Sequence, residues 1–316
     1  MSPEFSLIDK YFNLYETKAF KGIGDDAALI KKDNNHLWAI STDMLNEKTH
    51  FLPNTDPFNL GWKALAVNIS DIYAMGGIPK FALLAIALPK VQANWMEEFS
   101  NGLFSCAKKY RVELIGGDTT KGSLSISICI LGEVLKKNAL LRSNAKKEDD
   151  IWVTGELGLA ALGLAKLQKK IQLTQSLSKK SIMALEKPIL HSSIIESMAK
   201  LSHSAIDISD GLIADLGHIL EASKVGADIF LKDIPINPWI KKNNLIDIGL
   251  SGGDDYQLIF TVPKKNRNKV NLVSKIPSIK LTRIGSITKD KRLHIIDHKG
   301  KLYKPKNRGY DHFETK

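Results

Sequence analysis

The chain has 316 residues, 43% hydrophobic and 25% charged, which bounds a soluble globular protein of two ordinary domains. Lys and Arg number 45 against 34 Asp and Glu, a formal net charge of +11. The lysines are scattered as pairs such as Lys31-Lys32, Lys146-Lys147 and Lys241-Lys242, with no aromatic-interleaved stripe. No nucleic-acid partner is therefore expected, and the surplus reads as a solvated surface that helps attract an anionic substrate.

Met1–Ile8 has neither the basic start nor the long apolar core of a secretory signal. Strands are expected over 27–31 and 37–42. Asp56-Pro57 pairs a capping residue with proline at the first helical position, and the helix should run to Gly76-Gly77. Phe81–Leu88 is the longest apolar run; it is strand length and too short to cross a membrane. A helix over 94–110, a short strand over 112–115 and a long alternating strand over 124–133 complete the first half. Cys106 and Cys129 lack metal or redox spacing and read as reduced residues of a cytoplasmic protein.

The charged stretch from Lys136 to Asp150 marks a boundary between domains 1–137 and 148–316. Beyond it, strands are expected over 151–154, 205–208, 227–231, 256–262 and 281–287. Helices are expected after Gly158, over 181–185, 192–201 and 212–222. Both halves mix helices and strands without the regular alternation of a Rossmann fold, so the class is α/β and α+β.

Aspartates recur beside Gly, Ser or Thr where apolar runs end: Gly24-Asp25-Asp26, Ser41-Thr42-Asp43, Gly117-Asp118-Thr119, Asp207-Ile208-Ser209-Asp210 and Gly253-Asp254-Asp255. Any one of these fits an ordinary acidic turn or cap. Together, in a basic chain, they point to oxygen-ligand Mg²⁺ sites, with a nucleotide phosphate as the further ligand. Asp71 shares a helical face with Leu60, Ala64, Val67 and Met75, so it must be ion-paired or metal-bound. A Walker A loop, an EF-hand loop and the kinase catalytic motifs are missing. His50, His191, His203 and His218 show no metal spacing.

The segments GIGDDAA (22–28), ISTD (40–43), KALAVNISDIYAMGG (63–77), LIGGDTT (114–120), VTGELG (153–158), AIDISDGL (205–212), LSGGDDY (250–256) and GYDHF (309–313) resemble, in order, the thiamine-monophosphate kinases. The resemblance covers essentially the whole chain. It implies the two-domain fold of aminoimidazole ribonucleotide synthetase, with an N-terminal domain that binds ATP and Mg²⁺ and dimerises through its sheet. It implies phosphoryl transfer from ATP to thiamine monophosphate in a homodimer, assisted by several Mg²⁺ ions. Asp26, Ser41, Thr42, Asp43, Asp71, Asp118, Asp207 and Asp210 would hold the ions. Gly117, Asp118, Arg142 and Ser209 would contact ATP, and His50, Asp254 and Tyr310 the thiamine phosphate. Asp43, Asp71, Asp210 and Arg142 would carry the catalysis. Where the family pattern has G-G-E-D-Y, this chain has Asp254, one methylene shorter, so a bridging water is expected to complete its contact.

Other members of the superfamily are the nearest alternatives. Selenophosphate synthetase would need a reactive cysteine or its equivalent near the N-terminus, and the hydrogenase-maturation relative a C-terminal cysteine. Neither occurs here. A basic nucleic-acid-binding protein with structural Mg²⁺, or an inactive ligand-binding paralogue, are alternatives of other classes.

Overall fold

The computed structural model describes residues 3–13, 17–275 and 279–313. The first sheet holds β1 (Ala28–Lys31), β2 (His36–Asn46), β3 (Ile78–Leu88), β4 (Glu113–Lys121) and β5 (Ser125–Leu135), in the order β1-β2-β5-β3-β4. Only the β3–β4 pair is parallel. A short helix, α1 (Pro3–Tyr11), precedes the sheet.

One face of this sheet carries α2 (Pro57–Ala74) and α3 (Ala93–Tyr110). Asp56 caps α2, its Oδ1 accepting from the Asn59 N–H at 2.9 Å, with Pro57 beginning the helix. At the other end Gly76 turns left-handed. Gly77 N–H returns to the Ile72 carbonyl and Gly76 N–H to that of Tyr73, both at 2.9 Å. The two helices cross at glycines: a Cβ on Gly61 would stand 2.0 Å from the Phe99 carbonyl oxygen, and one on Gly102 would stand 1.8 Å from that of Phe58. Ile126, Ile128, Ile130 and Val134 of β5 point into this layer and are buried. The alternate residues Ser127, Cys129, Leu131 and Glu133 face outward.

The second sheet holds β6 (Asp150–Thr154), β7 (Ser204–Asp207), β8 (Gly226–Phe230), β9 (Leu258–Val262), β10 (Leu281–Thr288) and β11 (Leu293–Ile296), in the order β11-β8-β10-β6-β9-β7. Its helices include α4 (Leu159–Leu167), α5 (Gln175–Glu186), α6 (Ile195–Leu201) and α7 (Leu212–Ser223). One apolar cluster joins the two sheets, running from α2 and α3 to Trp152, Met198 and Phe260. A second lies within the later half, around Ile206, Leu216 and Ile229. The carboxylates gather where α2 meets the β7 end of the second sheet.

The structure corrects several sequence expectations. The strand expected over 112–115 continues through Lys121, because Gly116 to Lys121 pair with Leu83 to Leu88 of β3. Asp118 therefore lies within a strand, as does Asp43, which pairs with Ile128 because β2 runs on to Asn46. The strand expected from Tyr256 begins at Leu258, since Asp254 and Tyr256 adopt positive φ and break the extended run. Helix α1 and strand β11 carried no strong periodic pattern; β11 is four residues long and finds its place by parallel pairing with β8.

Candidate active site and its carboxylates

Strand alternation sorts the Ser41-Thr42-Asp43 segment. Leu37, Ala39, Ser41 and Asp43 share the face toward α2, whereas Thr42 is exposed on the outer face. Asn68 of α2 fixes the strand there: its Oδ1 accepts from the Asp43 N–H at 3.0 Å, and its own amide donates to the Ala64 carbonyl. One turn further, Ser41 Oγ donates to Asp71 Oδ2 at 2.6 Å and stands 3.0 Å from the Asp26 carbonyl oxygen. Ser70, on the same helix, donates to Asp207 Oδ2 at 2.7 Å and ties α2 to the end of β7.

This framework brings carboxylates from four segments together. Ligating oxygens of Asp26, Asp71 and Asp207 lie within 4.8 Å of one another. Burial pushes all of them up, and their mutual repulsion adds to it. The Asp43 carboxyl rises to about 6, through burial and then the Asp26 charge. Asp207 rises to about 8 and Asp71 well above the carboxylate range. For Asp26 burial outweighs Arg142, whose guanidinium donates to Asp26 Oδ1 at 2.6 Å. Arg142 is itself placed by its backbone, with its N–H on Asp25 Oδ1 at 2.7 Å and its carbonyl accepting from Ser223 Oγ at 2.6 Å.

Beside the cluster opens a cavity of about 670 Å³. Asp43, Asp71, Asp207 and Asp210 line it, together with His50, Asp254, Tyr310 and His312. Asp210 is raised to about 7 by burial and then by Glu4 of α1, which also lines the cavity. The Tyr310 N–H donates to the Asp210 carbonyl at 3.0 Å, so the C-terminal segment closes onto the Asp207–Gly211 loop. His50 packs on His312 with ring centroids 5.0 Å apart, and His312 meets Tyr310 edge-on at 4.9 Å.

Asp43, Asp71, Asp207, Ser209, Asp210, His50, Asp254 and Tyr310 thus surround one space, with Ser41, Asp26 and Arg142 linked behind its carboxylates. Arg142 also lines a neighbouring cleft of about 200 Å³ with Ile23, Gly24 and His218. Gly117 and Asp118 do not line the cavity; they lie on the exposed strand β4, opposite Leu84 and Ala85. A Cβ at Gly117 would stand 1.8 Å from the Leu84 carbonyl oxygen, which is why glycine is needed there. Thr42 is likewise outside the cavity.

Four site residues were not singled out in the sequence. Glu4 and His312 line the cavity, and Lys63 pairs with Asp254. Asp215 is buried on α7, its Oδ2 accepting from the Asp210 and Gly211 N–H groups at 3.1 and 3.0 Å. Its spacing after Ser209-Asp210-Gly211 is the available signal, an acid in the first helical turn facing back to the cap. Asp210, Asp215 and His218 form a second group with ligating atoms within 4.8 Å.

The donors fit a hard divalent cation. The first group is all oxygen, short-chained and rigidly placed, and its carboxylates are costly to ionise together without a compensating charge. The two sheets correspond to the two domains of the AIR synthase related proteins: the N-terminal domain of that family matches residues 24–134 and the C-terminal domain 146–298. The chain is 46% identical to the thiamine-monophosphate kinase of Buchnera aphidicola subsp. Schizaphis graminum, over 98% of both chains. It is 41% identical to that of Escherichia coli K12, over 99% of this chain and 98% of the relative. AaThiL complexed with AMPPCP and TMP superposes with a TM-score of 0.85 at 31% identity, covering 98% of this chain and 97% of the other. The chain belongs to the thiamine-monophosphate kinase family.

Proposed function

We propose that the protein transfers the terminal phosphoryl group of ATP to thiamine monophosphate, giving thiamine diphosphate and ADP. The observation that carries this is the convergence of Asp43, Asp71, Asp207 and Asp210 on one cavity that is also lined by the aromatic and polar set His50, Asp254, Tyr310 and His312. The carboxylates suit polyphosphate held through cations, and the aromatic side chains suit a heterocycle.

Asp26, Ser41, Asp43, Asp71, Asp207 and Asp210 would hold several Mg²⁺ ions, with Thr42 and Asp118 as further oxygen donors. Bound Mg²⁺ would supply charge neutralisation between the two phosphate groups and favour in-line alignment. Arg142 sets a planar cation behind the carboxylates, suited to ATP phosphate, with Gly117 and Ser209 as ATP contacts. His50, Asp254 and Tyr310 bind the thiamine phosphate. Burial and His312 lower the His50 pKa, so the imidazole is neutral at pH 7 and can stack against a cationic ring. The acceptor is a phosphate oxygen, already anionic, so the transfer requires no general base. It is direct, with no phospho-enzyme.

The division into a domain 1–137 for ATP, Mg²⁺ and dimerisation and a domain 148–316 is part of this proposal. So is a homodimer formed by the outer face of the first sheet, where Leu83 is 38% and Ile115 55% exposed and Phe81 lies beside Trp38. Thr42 and Asp118 lie on exposed parts of that same sheet, which fits an ATP site completed at such an interface. A cytoplasmic location is consistent with free Cys106 and Cys129. Among the described residues, no helix is long and apolar enough to cross a membrane.

The proposal is tested by product analysis with ATP, Mg²⁺ and thiamine monophosphate. Thiamine diphosphate and ADP should form in equal amounts. A labelled phospho-protein formed with ATP alone, and chased into product by thiamine monophosphate, would overturn direct transfer.

A further inference from the structure

Lys63 is a charged side chain that the phosphate chemistry above does not use. It lies on α2 within Leu60–Ser70, a stretch buried throughout, and is only 2% exposed. A buried ammonium persists only when paired and hydrogen-bonded. Its Nζ stands 2.8 Å from Asp254 Oδ1 and donates to the His50 carbonyl at 3.4 Å. The three partners come from separate segments: α2, the loop after β2, and the loop before β9.

Asp254 is constrained in its backbone as well. It is left-handed at φ 67°, and its N–H donates to the Ser209 carbonyl at 2.8 Å. Tyr256, at φ 46°, is pinned the same way by its N–H on the Ile208 carbonyl. Strain of this kind persists where surrounding contacts over-determine a loop. The side chain of Asp254 nevertheless stays 30% exposed and lines the cavity beside His50. One carboxylate oxygen is held, and the other is left for a ligand.

We propose that Lys63 is a positioning residue for acceptor selection. By holding Asp254 Oδ1 against the His50 loop, it presents Asp254 Oδ2 to the hydrogen-bond-donating heterocycle of the acceptor. The inference rests on the proposed function, in which His50, Asp254 and Tyr310 receive the thiamine moiety. It also accounts for an aspartate at 254: with the backbone left-handed and Lys63 at 2.8 Å, the short side chain already reaches its anchor.

The test compares Lys63→Met, Lys63→Arg, Asp254→Asn and the double variant Lys63→Met/Asp254→Asn. Lys63→Met should raise KM for thiamine monophosphate about tenfold, with kcat and KM for ATP within about twofold of wild type, and Lys63→Arg should recover most of the loss. In the Asp254→Asn background Lys63→Met should add little. Equal rises in KM for both substrates would overturn the proposal, as would the full Lys63→Met effect persisting without Asp254. A melting comparison, which needs no substrate, tests the pairing itself. Asp254→Asn strands the ammonium and should melt lower than the double variant; a double variant no more stable than Asp254→Asn would refute the pairing. A wild-type protein that does not turn over thiamine monophosphate would sink the substrate role together with the reaction, and the melting comparison would still decide the pairing.

Discussion

Replacing Asp43 by asparagine should stabilise the metal-free protein while removing part of its response to Mg²⁺. The reason is linkage. The Asp43 carboxyl is raised from 3.8 to about 6, by burial and then by the Asp26 charge. The native state therefore holds this proton more tightly than the unfolded chain does, and stability is lost as pH rises from about 4 through 6. Above both values the ionised group costs about 3 kcal/mol. This is a ceiling, because the charge is shared with Asp26 and the site can relax. Asparagine keeps the shape and removes the charge, and the Asp43 N–H bond to Asn68 Oδ1 is a backbone bond that the substitution leaves in place. With a few degrees per kcal/mol for a domain of this size, the midpoint in EDTA at pH 8 should rise by roughly 5–10 °C. At pH 4 the difference should largely vanish. Adding Mg²⁺ should then raise the wild-type midpoint more than that of the variant, since a cation that binds only the native state adds about 2.7 kcal/mol at one hundred times its Kd. The assay is a melting series at pH 4 and 8 with EDTA or Mg²⁺. A variant that melts at or below wild type in EDTA at pH 8 would refute the account of a strained, cation-dependent cluster.

Three further outcomes follow from the geometry. Arg142→Met leaves Asp26 buried without its 2.6 Å guanidinium partner and should cost roughly 3–5 kcal/mol in urea unfolding of the metal-free protein, together with a higher KM for ATP; unchanged stability would contradict the pairing. Asp255 caps α4, its Oδ2 accepting from the Gly158 N–H at 2.7 Å, so Asp255→Ala should lose about 1–2 kcal/mol by the same measurement. Leu83→Asp puts a charge on the exposed outer face of the first sheet, where the dimer is proposed, and should give a monomer in sedimentation velocity where wild type sediments as a dimer; a variant dimer would place the interface elsewhere, and a wild-type monomer would overturn the proposed dimer.

Much of the fold was legible because its signals are local. Asp56-Pro57 and Gly76-Gly77 bracket α2 as cap chemistry predicts, and β5 alternates as an amphipathic strand should. The limits of β4 were not legible. Gly116 and Gly117 look like a turn, and only pairing with β3 keeps them extended. Its place on an apolar helical face marks Asp71 as ion-paired or metal-bound, and the recurrence of aspartates elsewhere favours metal; the structure supplies its neighbours Ser41, Asp43 and Asp207, drawn from distant segments. Lys63 and Asp215 were missed because their roles are partnerships. A lysine in an apolar helix carries no sign of an aspartate almost two hundred residues away, and Asp215 acts through backbone donors.

The central claim is phosphoryl transfer to thiamine monophosphate, and a coupled ADP-release assay with ATP and Mg²⁺ tests it most directly. Wild-type protein should release ADP with thiamine monophosphate and not with free thiamine, and Asp71→Asn should abolish that release. ADP release with free thiamine as the better acceptor, or none with either while AMPPCP still binds, would contradict the account.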